Sequence, residues 1–130
     1  MANRILAGYM SPNDSNKYEM LVDHDGPASY VNTNTFATSG EQINAADFGL
    51  GGFEDVGCDM LSSDGVNVVE VVLGATVAGA TNMQPAPTNP PGAVFTTAVL
   101  HWYTTPSRGT EVTNGTALNG KYVRLRIIGV

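Results

Sequence analysis

Ala93-Val94-Phe95-Thr96-Thr97-Ala98-Val99-Leu100-His101-Trp102-Tyr103-Thr104-Thr105 and Lys121-Tyr122-Val123-Arg124-Leu125-Arg126-Ile127-Ile128-Gly129-Val130 are the stretches that decide the fold class. In the first, Thr96, Ala98, Leu100 and Trp102 fall on one side of an extended chain, and Thr97, Val99, His101 and Tyr103 on the other. In the second, Val123, Leu125 and Ile127 oppose Tyr122, Arg124, Arg126 and Ile128. Successive side chains of a strand point to opposite faces, so this alternation predicts half-buried strands, with the arginines solvated or meeting a partner. Asn119-Gly120, just ahead of the second stretch, is the preferred pair for a type I′ hairpin turn.

Working outward, further extended runs are expected at Lys17–Val22, at Ser29–Phe36, at Glu54–Leu61 and at Asn67–Val77, where β-branched residues carry only Glu70 as charge before Gly74. Asp64-Gly65 predicts a hairpin joining the last two. Helical spacing is scarce: the best candidate runs from Glu41 to Phe48, with Ser39 or Gly40 as cap, and Gly49, Gly51 and Gly52 stop it. Met83 to Gly92 carries Pro85, Pro87, Pro90 and Pro91 and is expected to be an extended, semi-rigid loop. The expected fold is all-β, a single-domain β-sandwich or barrel-like fold over residues 17–130. A flexible N-terminal arm over 1–16 is expected to order only against a neighbour.

Charge narrows the partners. No lysine or arginine occurs between Lys17 and Arg108, and ten of the twelve carboxylates lie from Glu19 to Glu70. Gripping phosphates needs clustered Lys and Arg to displace counterions, so the body of the chain is not expected to bind nucleic acid, and a net charge of −6 opposes an anionic membrane surface. Charged residues make up 14% of the chain against a usual ~25%, and Thr, Asn, Gly and Ser take their place. That composition suits β-rich proteins packed into assemblies. The single Cys58 cannot form an internal disulfide and is expected to be a small buried hydrophobe. No apolar run approaches signal-peptide length or the ~20 residues of a membrane span, which predicts synthesis in the cytoplasm and no membrane partner.

Candidate chemistry is thin. Asp23-His24-Asp25-Gly26-Pro27 is the densest polar cluster, but it fails the calcium-loop pattern and is expected to be a turn. His24 and His101 with one cysteine make a poor zinc set. Ser62, Ser63 and Cys58 lack a nucleophile elbow. Gly49-Leu50-Gly51-Gly52 is followed by Glu54 and Asp55, which would repel phosphate, and is expected to be a tight bend. Neither an enzyme nor a cofactor or metal site is expected.

The series Gly49-Leu50-Gly51-Gly52-Phe53-Glu54-Asp55-Val56, a Val-rich strand, a Trp-Tyr strand, Gly109-Thr110-Glu111-Val112-Thr113-Asn114-Gly115-Thr116-Ala117-Leu118-Asn119-Gly120 and the Val-Arg-Leu ending together resemble small structural proteins of tailed bacteriophages. The resemblance, from Phe48 onward, is to the decoration or cement proteins that bind the outside of the capsid shell. It implies a virion protein, made in the host cytoplasm, whose partners are the major capsid protein and copies of itself. The side chains expected at its interface are Ile5, Leu6, Tyr9 and Met10 in the arm and Met83, Pro85, Pro87, Pro90 and Pro91 in the loop, since such groups are costly to leave wet. Two alternatives compete: another virion part (tail tube, connector or fibre), or a small carbohydrate-binding β-sandwich module using Trp102, Tyr103 and Tyr122 as a sugar platform.

Overall fold

A computed structural model describes residues 3–11, 14–58, 60–74, 76–77 and 94–130, with backbone alone for 4–11 and 14–16. Eight strands follow in order: β1 (Asn3–Ser11), β2 (Asp14–Asp25), β3 (Glu41–Asn44), β4 (Phe53–Cys58), β5 (Val68–Leu73), β6 (Thr97–Thr105), β7 (Arg108–Glu111) and β8 (Tyr122–Gly129). They form two antiparallel sheets, one ordered β1-β2-β8-β4, the other β3-β6-β5 with β7 also on β6. The all-β expectation holds.

Each sheet turns an apolar face to the other. Val22 pairs with Leu125 and Met20 with Ile127 across β2 and β8, and Val56 joins from β4. Ile43 opposes Ala98, and Val69 opposes Trp102, in the second sheet. Val22, Val123, Leu125, Ile127, Ala98, Leu100, Trp102, Ile43 and Val69 merge into one buried core, closed at its ends by Tyr30, Phe48, Phe53, Val112 and Leu118. The period-two readings of β6 and β8 place these side chains on the correct faces.

Several local expectations are corrected. Residues 41–48 form β3 and then a single 3-10 turn, Ala45–Phe48, not a helix. Two turns of isolated helix are too short to pay their nucleation cost, whereas pairing with β6 buries Ile43. Gly49 ends that turn in the left-handed region at φ 75°, and the glycine-rich bend then leads into β4 as expected. The segment 29–36 is not a strand. Asn32 accepts from Asn34 N at Oδ1 within the loop, a local bond that competes with a ladder, and donates from Nδ2 to the distant Val112 O.

Neither expected hairpin exists. Asp64-Gly65 carries the chain from β4 in one sheet to β5 in the other. At Asn119-Gly120 only Gly120 has positive φ (91°), so the turn that Lys121 N closes onto Leu118 O lacks the type I′ requirement of two such residues. Positive φ at its third position is the type II pattern. Asp23-His24-Asp25 is the end of β2, not a turn, and the chain leaves the sheet only at Gly26.

Residues 3–11 and 14–16 also differ from the expected arm. Strand β1 pairs with β2 from Asn3↔His24 to Ser11↔Asp14, with register shifts between Ile5 and Ala7 and between Met10 and Ser11. Its backbone donors and acceptors toward β2 are met inside the chain. A β1–β2 hairpin thus forms one margin of the first sheet.

Candidate functional site

Two polar clusters, one between the sheets and one behind β6, and the outer edge of β1 are candidate sites among the described residues. The first cluster lies between the sheets. His24, inward on β2, brings Nε2 to within 2.8 Å of Glu41 Oε2 on β3, and Glu41 Oε1 lies 3.1 Å from Trp102 Nε1 on β6. A carboxylate oxygen can only accept, so both ring nitrogens donate to Glu41. The Asn3 side-chain oxygen stands 2.5 Å from His24 Nδ1. His24 and Trp102 are fully buried and Glu41 nearly so. His24, Glu41 and Trp102 thus tie three strands of two sheets together in the interior, with Asn3 part-buried at the margin.

The second cluster sits behind β6. His101, Val99 and Tyr103 point away from the interior, as their alternation predicts, yet all three are buried. Val99 packs with Val72 and Val77, and the Phe36 ring stacks on His101 with centroids 3.9 Å apart and planes within 8°. The half-buried expectation for β6 is therefore corrected: both of its faces are covered. Tyr30 donates its hydroxyl to Glu111 Oε2 at 2.7 Å and accepts from Trp102 N at 3.1 Å. Burial first, then the bond to Glu111, hold the Tyr30 phenol well above its ordinary range, so it remains a donor. Glu111 Oε2 also meets His101 Nδ1 at 3.4 Å. Burial nevertheless pushes the His101 imidazole below its usual value, outweighing the raising influence of Glu111 and Glu70.

In front of this cluster opens a groove of about 400 Å³ lined by Asn32, Asn34, Thr35, Phe36, Thr110 and Glu111. Sequence reasoning missed it. Its one advance signal was Asn-Thr-Asn-Thr beside a phenylalanine, a stretch that alternation disguised as a strand. The aromatic platform expected for a sugar module does not exist as drawn, because Trp102 is fully buried and Tyr103 only 5% exposed.

The expected interface residues divide. Ile5, Leu6, Tyr9 and Met10 lie along β1, the outermost strand of the first sheet, and no described strand pairs with its far side. Met83, Pro85, Pro87, Pro90 and Pro91 fall outside the described residues, so the two groups are not brought together here. Cys58, in no disulfide, is a half-buried thiol against the core, its Sγ 3.3 Å from Met60 O. Among the described residues no group of three His, Cys, Asp or Glu side chains gathers to hold a metal ion, and no helix is long and apolar enough to cross a membrane. No protein family, curated protein or solved structure matches the chain.

Proposed function

We propose that this protein is a structural component of a tailed-bacteriophage virion, bound to the outer surface of the capsid and stabilising it by bridging shell subunits. One observation carries the reading most directly. Strand β1, Asn3-Arg4-Ile5-Leu6-Ala7-Gly8-Tyr9-Met10-Ser11, is a long sheet margin with a single charge and no described partner on its far side. Free-standing proteins blunt such margins with lysine, proline or short length, because exposed backbone donors and acceptors recruit other strands. A margin left sticky is suited to strand addition against a neighbour. The resemblance of the stretch from Phe48 onward names that neighbour as the major capsid protein. The mechanism is mass action: a ligand that binds only the assembled shell stabilises it.

The corrected role of residues 3–11 changes the mechanism from a loose arm to a paired strand that docks edge to edge. The test adds intact protein, a deletion of residues 1–10, and Ala7→Lys to undecorated capsids and measures retention, with a melt of each protein. Ala7 sits mid-strand opposite Leu21, so a lysine there charges the margin without removing β1. Both variants are expected to melt as folded domains and to lose most of their retention. Equal occupancy by Ala7→Lys and intact protein at equal concentration would exclude β1 as the anchor.

A further inference from the structure

We propose that the groove between the 32–36 loop and β7 is a binding site for a neutral saccharide. Its lining residues lie outside β1, the strand that the proposed capsid attachment uses.

The argument starts from Phe36. One face of its ring lies flat on His101, and the ring is still 44% exposed, so its other face looks into the groove. A large aromatic held face-outward at a polar surface is costly to leave wet. Stacking fixes it there, because the His101 ring beneath is buried and cannot swing aside. The apolar C–H face of a sugar ring is its natural complement: the negative face of the aromatic quadrupole meets weakly positive C–H groups.

Around that platform stand groups that match hydroxyls. The Asn34 amide, the Thr35 hydroxyl and Glu111 Oε1 have no partner among the described residues, and Thr110 is exposed beside them. Glu111 Oε2, by contrast, is already engaged by Tyr30 and His101. The free oxygen is thereby held in place as an acceptor. Asn34 adopts φ 64°, a left-handed conformation that asparagine tolerates better than most residues. Non-glycine residues in that region gather at ligand clamps more often than elsewhere.

The loop is also rigid before any ligand arrives. Asn34 N donates to Asn32 Oδ1 at 2.9 Å, Thr33 N to Ser39 Oγ at 3.0 Å, Ser39 Oγ to Thr35 O at 2.8 Å, and Gly40 N to Val31 O at 2.9 Å. Asn32 N is held as well, donating to Asn114 Oδ1 at 2.9 Å. Little ordering entropy remains to be lost on binding, which favours affinity. A groove of about 400 Å³ falls within the range of small-molecule sites. Its lining holds one carboxylate and no lysine or arginine, so anionic ligands such as phosphate esters and uronates are disfavoured.

The test is a titration of isotopically labelled protein, followed by amide shifts, with maltose, cellobiose and N,N′-diacetylchitobiose as neutral probes and glucuronate and inorganic phosphate as charged ones. At least one neutral probe is expected to give saturable shifts at residues 32–36 and 110–111, with a dissociation constant of roughly 1 mM. Phe36→Leu keeps an apolar cover over His101 but removes the aromatic face, and should weaken binding by roughly tenfold. Asn34→Gly keeps the backbone conformation, removes the amide and should weaken binding less. It carries the test if the leucine variant loses dispersion in its spectrum. Absence of saturable shifts with every neutral probe, equal binding of glucuronate or phosphate, or unchanged binding in both variants would each overturn the assignment.

Discussion

Glu41→Ala should be the most damaging single side-chain deletion at a polar position in this fold. Glu41 is 6% exposed and accepts from His24 Nε2, in the opposite sheet, at 2.8 Å and from Trp102 Nε1 at 3.1 Å. Both donors are fully buried, so alanine leaves two orphaned N–H groups with no route to bulk water. Each orphan costs about 1–3 kcal/mol, which puts the sum at about 2–6 kcal/mol. Domains of this kind are stable by about 5–15 kcal/mol, so the variant forfeits a large share. With 130 residues and an unfolding entropy of ~2.1 cal/mol/K per residue, that loss lowers the melting temperature by roughly 7–22 °C. Trp102 is the single tryptophan of the chain and one of the two orphaned donors, so its fluorescence reports the change directly. Glu41→Gln supplies one accepting oxygen in place of two and should lie about midway. A melt of Glu41→Ala within about 2 °C of the parent, or equal losses for Ala and Gln, would refute the reasoning, because the donors would then have found partners without Glu41.

Two further outcomes follow from single positions. At Gly26 a Cβ would stand 2.4 Å from the backbone oxygen of Leu118 and 2.8 Å from its Cβ, and Leu118 is itself anchored by its N–H to Pro27 O; Gly26→Ala should therefore cost about 1–3 kcal/mol in denaturant titration, whereas Gly57→Ala, which meets nothing within 4 Å, should cost far less. His101 is faced by Glu111, Glu70, Arg108 and the Phe36 ring, and burial sets its pKa below the ordinary imidazole value of 6.5; the unfolded chain then binds a proton that the folded chain refuses, so this group's contribution is complete above pH 6.5 and is lost as pH falls below it. Stability measured by urea titration should decline on acidification through that window, and His101→Asn should decline less steeply; identical slopes would assign the pH dependence elsewhere.

The legible part of the sequence was the part governed by local periodicity. Val123, Leu125 and Ile127 alternate with charged residues, which only a strand with one wet face tolerates, and the structure follows suit. In β6 the alternation gave the right faces, but Val99, His101 and Tyr103 could not announce that Val72, Val77 and Phe36 would cover them. That cover comes from segments far along the chain. Strand β1 escaped because Ile5-Leu6-Ala7-Gly8 has no period of two and carries a register shift. The groove and the His24–Glu41–Trp102 network escaped for the same reason as each other: their members are 17, 61 or 81 residues apart, and no local rule relates Tyr30 to Glu111. The glycine turns were placed correctly and connected wrongly, since Asp64-Gly65 describes a bend and not the sheet on its far side.

The distribution of chemistry in the fold bears on where any function can reside. His24, Glu41, Trp102, His101 and Tyr30 are the groups most capable of catalysis or ligation, and all are buried in bonds that join strands or cover a sheet. Using one of them on a substrate would open the core. What faces outward is dominated by threonine, asparagine, serine and glycine, with few charges. Burying an ion at an interface costs several kcal/mol unless it is paired well, whereas hydroxyls and amides lose less on desolvation and recover it through single hydrogen bonds. A surface of this kind is easily covered by a neighbour, and it offers little to steer a charged ligand. Among the described residues, the sheet margin at β1 and the groove at Phe36 are two places where backbone or aromatic surface joins that neutral background. One presents a line of peptide groups suited to a strand, and the other a ring face suited to a sugar. Strand β1 lies in the first sheet, whereas Phe36 covers the second, so a neighbouring strand added along β1 need not close the groove.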